Sequence, residues 1–275
     1  MPSVLVLTTY QQPCFTDDMS TDKALPPAAR VAPALKNRMV IWEGAGPDGT
    51  PLVVLATGFD KASANGKTGD EIQTFILRAD MDPMTALRSG GDTAICFDCP
   101  HRAKTSGGTG ACYVRVYHAP LSTWRAHQRN GSMPFDPAKF AGRKVRIGSY
   151  GDPAAVPMHV WHAIAGTADG VTGYTHQWRT TPELSAYCMA SVDDPSHARV
   201  ARAAGFRSFI VRGADAPKPA GAVICPASAE AGKRTTCASC MQCSGTSGGR
   251  KADITIIAHG STARAFKSLP LSVVA

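Results

Sequence analysis

The chain has 275 residues, 44% of them apolar and only 18% charged, which supports a sizeable core and excludes wholesale disorder. Its formal net charge of +8 favours anionic partners, a small molecule such as a nucleotide or a nucleic acid, although the basic residues are scattered rather than blocked. No apolar run approaches the roughly 20 residues of a membrane span, and MPSVLVLTTYQQ lacks the basic leader and small-residue cleavage site of a signal peptide. No membrane partner is therefore expected, and the expected compartment is cytoplasmic.

Residues 1–36 are rich in Pro, Ala, Thr and Asp without a clear period and read as a loose N-terminal arm, in which Cys14 is a stray thiol. Residues 37–90 read as a small β-rich subdomain. RMVIWEG, PLVVLATGF and IQTFILRA are short β-branched stretches, and Gly-Pro-Asp-Gly at 46–49 is a turn between the first two. DPMTALRSG predicts a short helix capped by Asp82 and ended near Gly90.

From residue 91 to 275 a barrel-like domain is expected. CYVRVYH, KVRIGSY, VTGYTHQW, CMASVD, FRSFIVR, AGAVICPA and ADITIIAHG are strand-like. They alternate with the helical segments LSTWRAHQRNG, VPMHVWHAIAG, TPELSAY and DPSHARVARAAG. Regular alternation implies an α/β fold with a parallel sheet and right-handed crossovers. The expected form is a partial (β/α) barrel with a C-terminal metal-binding loop; a doubly wound open sheet is the alternative.

Seven of the nine cysteines fall into two groups, which metal binding explains better than disulfides in a reducing compartment. Cys96, Cys99 and Cys112 are spaced C-x2-C-x12-C. Three thiolates can hold three irons of a four-iron cluster and leave one iron open; with His101 they equally close a tetrahedral zinc site. The intervening AKTSGGTGA reads as a mobile loop, and Arg102 as a surface charge. Cys225, Cys237, Cys240 and Cys243 are spaced C-x11-C-x2-C-x2-C. Successive C-x2-C steps are shared with ferredoxin-type iron–sulfur sites, and structural zinc remains open. The following GTSGGRK reads as a flexible surface loop. Cys188 starts a strand and reads as a small buried apolar residue.

Loops at the carboxyl ends of parallel strands form active sites, and several polar residues are expected there. RIGSYGDPAAVP places Gly148, Ser149, Gly151 and Asp152 after one strand, with capping as the simpler role for Asp152. In TGYTHQWR an extended chain puts Tyr174, His176 and Trp178 on one face and Thr175, Gln177 and Arg179 on the other. Polar residues inside a parallel strand are unusual, so His176 or Gln177 is expected to face a ligand. Asp193, Arg212 and His259 end later strands. Together Asp152, His176, Asp193, Arg212 and His259 are expected to ring one mouth, with Asp152, His176 and Asp193 as catalytic candidates and Gly148, Ser149, Gly151, Gln177, Arg212 and His259 binding a ligand. No Walker, dinucleotide, H-E-x-x-H or G-x-S-x-G motif is present.

A cysteine group ending in Cys112-Tyr113 ahead of a run of βα units, with the glycine-containing loop RIGSYGDP after a strand, resembles the radical S-adenosylmethionine superfamily. The arrangement CPHR…CYV…GSYGDPAAVP…TGYTHQWR…SVD…C-x2-C-x2-C, over roughly residues 91–260, is most similar to phage-encoded cysteine-rich proteins distantly resembling that superfamily. The resemblance implies a partial (β/α)6 barrel and a four-iron cluster on Cys96, Cys99 and Cys112 whose open iron binds S-adenosylmethionine. It also implies an auxiliary 4Fe-4S cluster on Cys225, Cys237, Cys240 and Cys243. The superfamily's triplet is C-x3-C-x2-C, and its Gly-Gly-Glu type loop has no glutamate here. Two function classes follow: an iron–sulfur enzyme acting on an anionic substrate, or a zinc-stabilised nucleic-acid-binding or phage accessory protein without catalysis.

Overall fold

The computed structural model describes residues 37–62, 65–247, 249 and 252–266; the expected arm at 1–36, with Cys14, lies outside them. The described part is a mixed α/β structure around one nine-stranded, mostly parallel sheet. Strands β1 (Arg38–Ala45), β2 (Pro51–Thr57) and β3 (Ile72–Arg78) form an antiparallel meander. Its first turn is the expected one: the Gly49 amide donates to the Gly46 carbonyl at 2.9 Å and the Thr50 amide to Asp48 Oδ1 at 2.9 Å.

β3 then pairs in parallel with β4 (Lys144–Tyr150), Ile72 opposite Val145. β5 (Gly170–Thr175), β6 (Met189–Val192) and β7 (Ser208–Arg212) follow in parallel. β9 (Ile254–Ile257) lies beside β7, and β8 (Val223–Ile224) beside β9. The spatial order is therefore β1-β2-β3-β4-β5-β6-β7-β9-β8. It follows chain order outward to β7, with β9 then set inside β8, and lacks the central switch point of a doubly wound sheet; β1 and β8 are edges, and the sheet does not close. Because β3 pairs with β4, the strands of residues 37–90 form one wing of this sheet.

Among the described residues six α-helices connect the strands: α1 (Pro83–Ser89), α2 (Thr93–Cys96), α3 (Ala119–Asn130), α4 (Met158–Ala165), α5 (Pro195–Ala203) and α6 (Cys237–Cys240). Their ends follow capping chemistry. Asp82 accepts from the Met84 and Thr85 amides and Gly90 stops α1 at φ 80°, while Asp194 accepts from the Ser196 amide at the start of α5. TPELSAY becomes a 3-10 turn at Pro182–Ala186.

The expected strand CYVRVYH does not form. β3 and β4 already pair with each other, so this segment has no ladder to join. It alternates because Val116 is buried while Tyr113 and Tyr117 are exposed, and residues 116–118 form a turn into α3, the His118 amide donating to the Arg115 carbonyl at 3.0 Å. The core includes Val54, Leu55, Ile76, Leu77, Ile147, Trp161, Ile164 and Trp178, all nearly inaccessible. Each such side chain contributes roughly 1.5–3 kcal/mol of burial. None of the described helices is long and apolar enough to cross a membrane.

Candidate functional site

One face of the parallel strands lines a cavity of about 770 Å³. The wall takes alternate residues from successive strands: Gln73 and Phe75, Arg146 and Gly148, Thr172, Tyr174 and His176, then Ser191, Phe209, Val211, Ile254 and Ile256. This is the period-two alternation of strands, and it explains why strands of a parallel sheet carry polar side chains. All seven clustered cysteines, Cys96, Cys99, Cys112, Cys225, Cys237, Cys240 and Cys243, line the same cavity.

The first three are gathered by local backbone geometry. α2 ends at Cys96, Phe97 takes a positive φ of 50°, and the Cys99 amide donates to the Cys96 carbonyl at 3.0 Å. Cys112 returns through its amide, which donates to the His101 carbonyl at 2.8 Å. The loop between, expected to be mobile until metal fixes it, is closed by its own backbone bonds. Its amides at Gly108, Thr109 and Gly110 donate to the carbonyls of Ala103, Pro100 and Arg102, and a Cβ on Gly108 would lie 2.1 Å from the Arg102 carbonyl oxygen. Arg102 is no surface charge: its guanidinium donates to Thr93 Oγ1 and the Ser106 carbonyl, and lies 3.8 Å from Asp92.

The second group is bound into the same frame. The Cys225 amide donates to the Thr255 carbonyl at 2.9 Å, the Cys237 amide to the Lys67 carbonyl at 2.8 Å, and the Gly173 amide to the Cys243 carbonyl at 3.4 Å. The start of the following glycine-rich segment is packed. Gly245 has φ 59°, a Cβ there would lie 2.5 Å from the Ser185 carbonyl oxygen, and the Thr246 amide donates to that carbonyl at 2.9 Å.

The eight described cysteines are free. Burial and the neighbouring Cys99 and Cys112 push the Cys96 thiol well up, burial pushes Cys112 up to about 11, and burial raises Cys243 to about 12. Thiols gathered this closely disfavour one another's charged form. A cation among them reverses that penalty, because thiolates are the ligating form. Three and four thiolates are donor sets suited to iron–sulfur or zinc centres.

Beside the first group lies a polar cluster. His101 Nε2 is 2.6 Å from Asp193 Oδ1, and His176 Nε2 is 3.5 Å from Asp193 Oδ2. Ligand atoms of these three residues all fall within 4.8 Å of one another. Burial works against the charged imidazole of His176, but Cys99 and Asp193 outweigh it and lift its pKa well above the ordinary value. Burial also works to raise Asp193, yet the bonds to His101 and His176 hold its carboxyl well below the usual range.

Asp152 lies on the cavity wall but is fully engaged. Oδ1 accepts from Thr175 Oγ1 at 2.7 Å and from the Ala154 amide at 3.0 Å, and Oδ2 accepts from the His176 amide at 2.8 Å. It therefore holds β4 against β5 and sets the backbone of His176. Gly148, Ser149, Gly151 and His259 line the cavity too. The two glycines answer to neighbouring protein: added Cβ atoms would meet the Gly151 carbonyl oxygen at 2.8 Å and Ile76 Cβ at 2.7 Å. Ser149 donates to Gln73 Oε1 at 2.6 Å.

Three expected residues, Asp193, Gln177 and Arg212, are not on the described wall; Asp193 instead pairs with His101 and His176, which are. The Gln177 side-chain Nε2 donates to Asp98 Oδ1 at 2.5 Å, because β5 ends at Thr175 and the chain turns away. Arg212 is buried and donates to Glu230 and to the Ala216 carbonyl, pinning the 213–230 segment. Trp178 enters the core instead of following Tyr174 and His176. Cys188 is fully buried, as expected.

Lys67, Arg146 and Tyr113 line the cavity and were not singled out by the sequence. The one available signal was Arg146, a charge in the middle of a parallel strand. No protein-family model, curated protein or solved structure matches the chain.

Proposed function

We propose that this chain is a metal-binding enzyme, of iron–sulfur type, with two centres opening on one cavity, resembling radical S-adenosylmethionine proteins and acting on an anionic substrate. The observation that carries the reading is the shared wall: cysteine groups 113 or more residues apart in sequence, from Cys112 to Cys225, line the same cavity. Structural metal knots need no such common space. Cys96, Cys99 and Cys112 supply three thiolates and leave a fourth position for a ligand, whereas Cys225, Cys237, Cys240 and Cys243 complete a four-thiolate set. Iron–sulfur clusters supply one-electron chemistry, and the open position is where S-adenosylmethionine would bind.

The partial barrel is part of the proposal. Sequential strand order with right-handed crossovers puts the helices on one side of the sheet and lets it curl around the other. Alternate residues from β3 to β9 on one cavity wall support that curvature. The chain's own residues divide the work: Asp152 fixes the His176 backbone, and Asp193 orients His101 and His176 beside Cys99.

A second reading is supported by the His101, His176 and Asp193 group, whose nitrogen and oxygen donors suit zinc. In that case the chain is a zinc-stabilised nucleic-acid-binding or phage accessory protein.

Protein purified without oxygen separates the two. The first reading expects a brown protein with about eight irons and eight sulfides, as two 4Fe-4S clusters require, and reductive cleavage of S-adenosylmethionine. A colourless protein with zinc and no sulfide overturns it in favour of the second.

A further inference from the structure

Between the two cysteine groups the cavity wall is basic. Asp152 is the only carboxylate on its described lining, and both its oxygens are taken by protein donors. Lys67, Arg146 and His259 reach the cavity from three separate places: the loop ahead of β3, the middle of β4 and the turn after β9. Lys67 Nζ is 3.2 Å from His259 Nε2, and the His259 ring packs on Tyr113 at 4.7 Å between centroids. The Arg146 guanidinium sits 5.0 Å above the Tyr174 ring, which fixes it without using up its fork of N–H donors.

Neither Lys67 nor Arg146 makes a salt bridge among the described residues. The two cations repel each other. Glu71 acts on Arg146 from off the cavity lining, and partly buried cations that face a common space with no carboxylate in ion-pair contact cost free energy unless an anion enters between them.

We propose that Lys67, Arg146 and His259 form a subsite for an oxyanion group, phosphate or carboxylate, of the molecule that occupies this cavity. The placement deepens the reading of an anionic substrate given above and rests on it. Arg146 offers a planar pair of donors to two oxygens, Lys67 a point charge to a third, and His259 closes the outer side at the exposed end. The other use of these cations is to balance the thiolates of Cys225, Cys237 and Cys243, which also act on Lys67, and the test separates the two.

Inorganic phosphate and, separately, acetate are titrated calorimetrically into the protein after its metal content is measured, and the series is repeated with Arg146→Met, Lys67→Met and Arg146→Lys. The subsite predicts binding of at least one anion by the wild type. It predicts at least ten-fold weakening in both methionine variants at unchanged metal content, and partial recovery in Arg146→Lys, which also guards against a folding defect. Preference for phosphate or for acetate names the oxyanion. A wild type that takes neither anion overturns the proposal. So do methionine variants that lose metal while their loaded fraction binds the anion as the wild type does, which leaves only a counter-ion role. Phosphate binding by a protein that holds no metal would sink the metal reading and leave the subsite standing.

Discussion

Asp152 is a buried carboxylate whose two oxygens are both taken by protein donors. It receives the Thr175 hydroxyl and the amides of Ala154 and His176, and its own amide donates to the Ile95 carbonyl at 2.6 Å, next to Cys96. Asp152→Ala leaves three donors without their acceptor, and a loss of about 3 kcal/mol is expected in urea unfolding, since each buried group left unpaired costs about 1–3 kcal/mol. Glu71 is a different case. It is fully buried and accepts from Thr172 Oγ1 at 2.9 Å. Burial raises its pKa against the pull of Arg146. The folded state then holds the proton more tightly than the unfolded state, so stability falls as pH rises from about 4.5, the ordinary value, through the raised one. Glu71→Gln removes that slope. Unfolding curves across pH should be flatter for the variant above pH 4.5, with higher stability than wild type at neutral pH; parallel curves would contradict this.

At the scale of elements, the loop from His101 to Cys112 holds the first cysteine group together through its own backbone bonds and the Arg102 side chain. Gly108→Ala puts a methyl 2.1 Å from the Arg102 carbonyl oxygen, so the loop must open. The expected result is loss of metal from the first group with the second retained, read as roughly half the wild-type content. Sequence patterning revealed most elements because capping and periodicity are local: Asp82 and Gly90 bound α1, and KVRIGSY and FRSFIVR are β4 and β7. CYVRVYH was misread because alternation reports half-burial, and only the β3–β4 pairing shows that no ladder is available. The same limit applied to side chains. Arg212 and Gln177 end strands as active-site residues do, but their partners Glu230 and Asp98 lie 18 and 79 positions away. The Asp193 contacts with His101 and His176, and the meeting of Lys67 with Arg146, are equally nonlocal.

For the whole molecule, the two cysteine groups are where distant parts of the chain meet. The second joins residues 225–243 to the loop at Lys67 and to β5 at Gly173. The first joins α2 to the end of β4 through Ile95. Metal bound there, as proposed, would act as a cross-link between segments far apart in sequence, so its binding free energy would add to folding. Stripping the metal should lower the melting temperature by several degrees for each few kcal/mol lost; an unchanged transition would mean that the thiols pack without need of metal.

In the proposed reading each cysteine group holds its own centre. Iron, sulfide and zinc per chain, measured on the wild type, on a Cys96→Ser/Cys99→Ser/Cys112→Ser variant and on a Cys237→Ser/Cys240→Ser/Cys243→Ser variant, test it most directly. Two centres are expected in the wild type and one in each variant, with the survivor's spectrum belonging to the group left intact. A wild type holding a single centre, or a variant that keeps the full wild-type content, would contradict it.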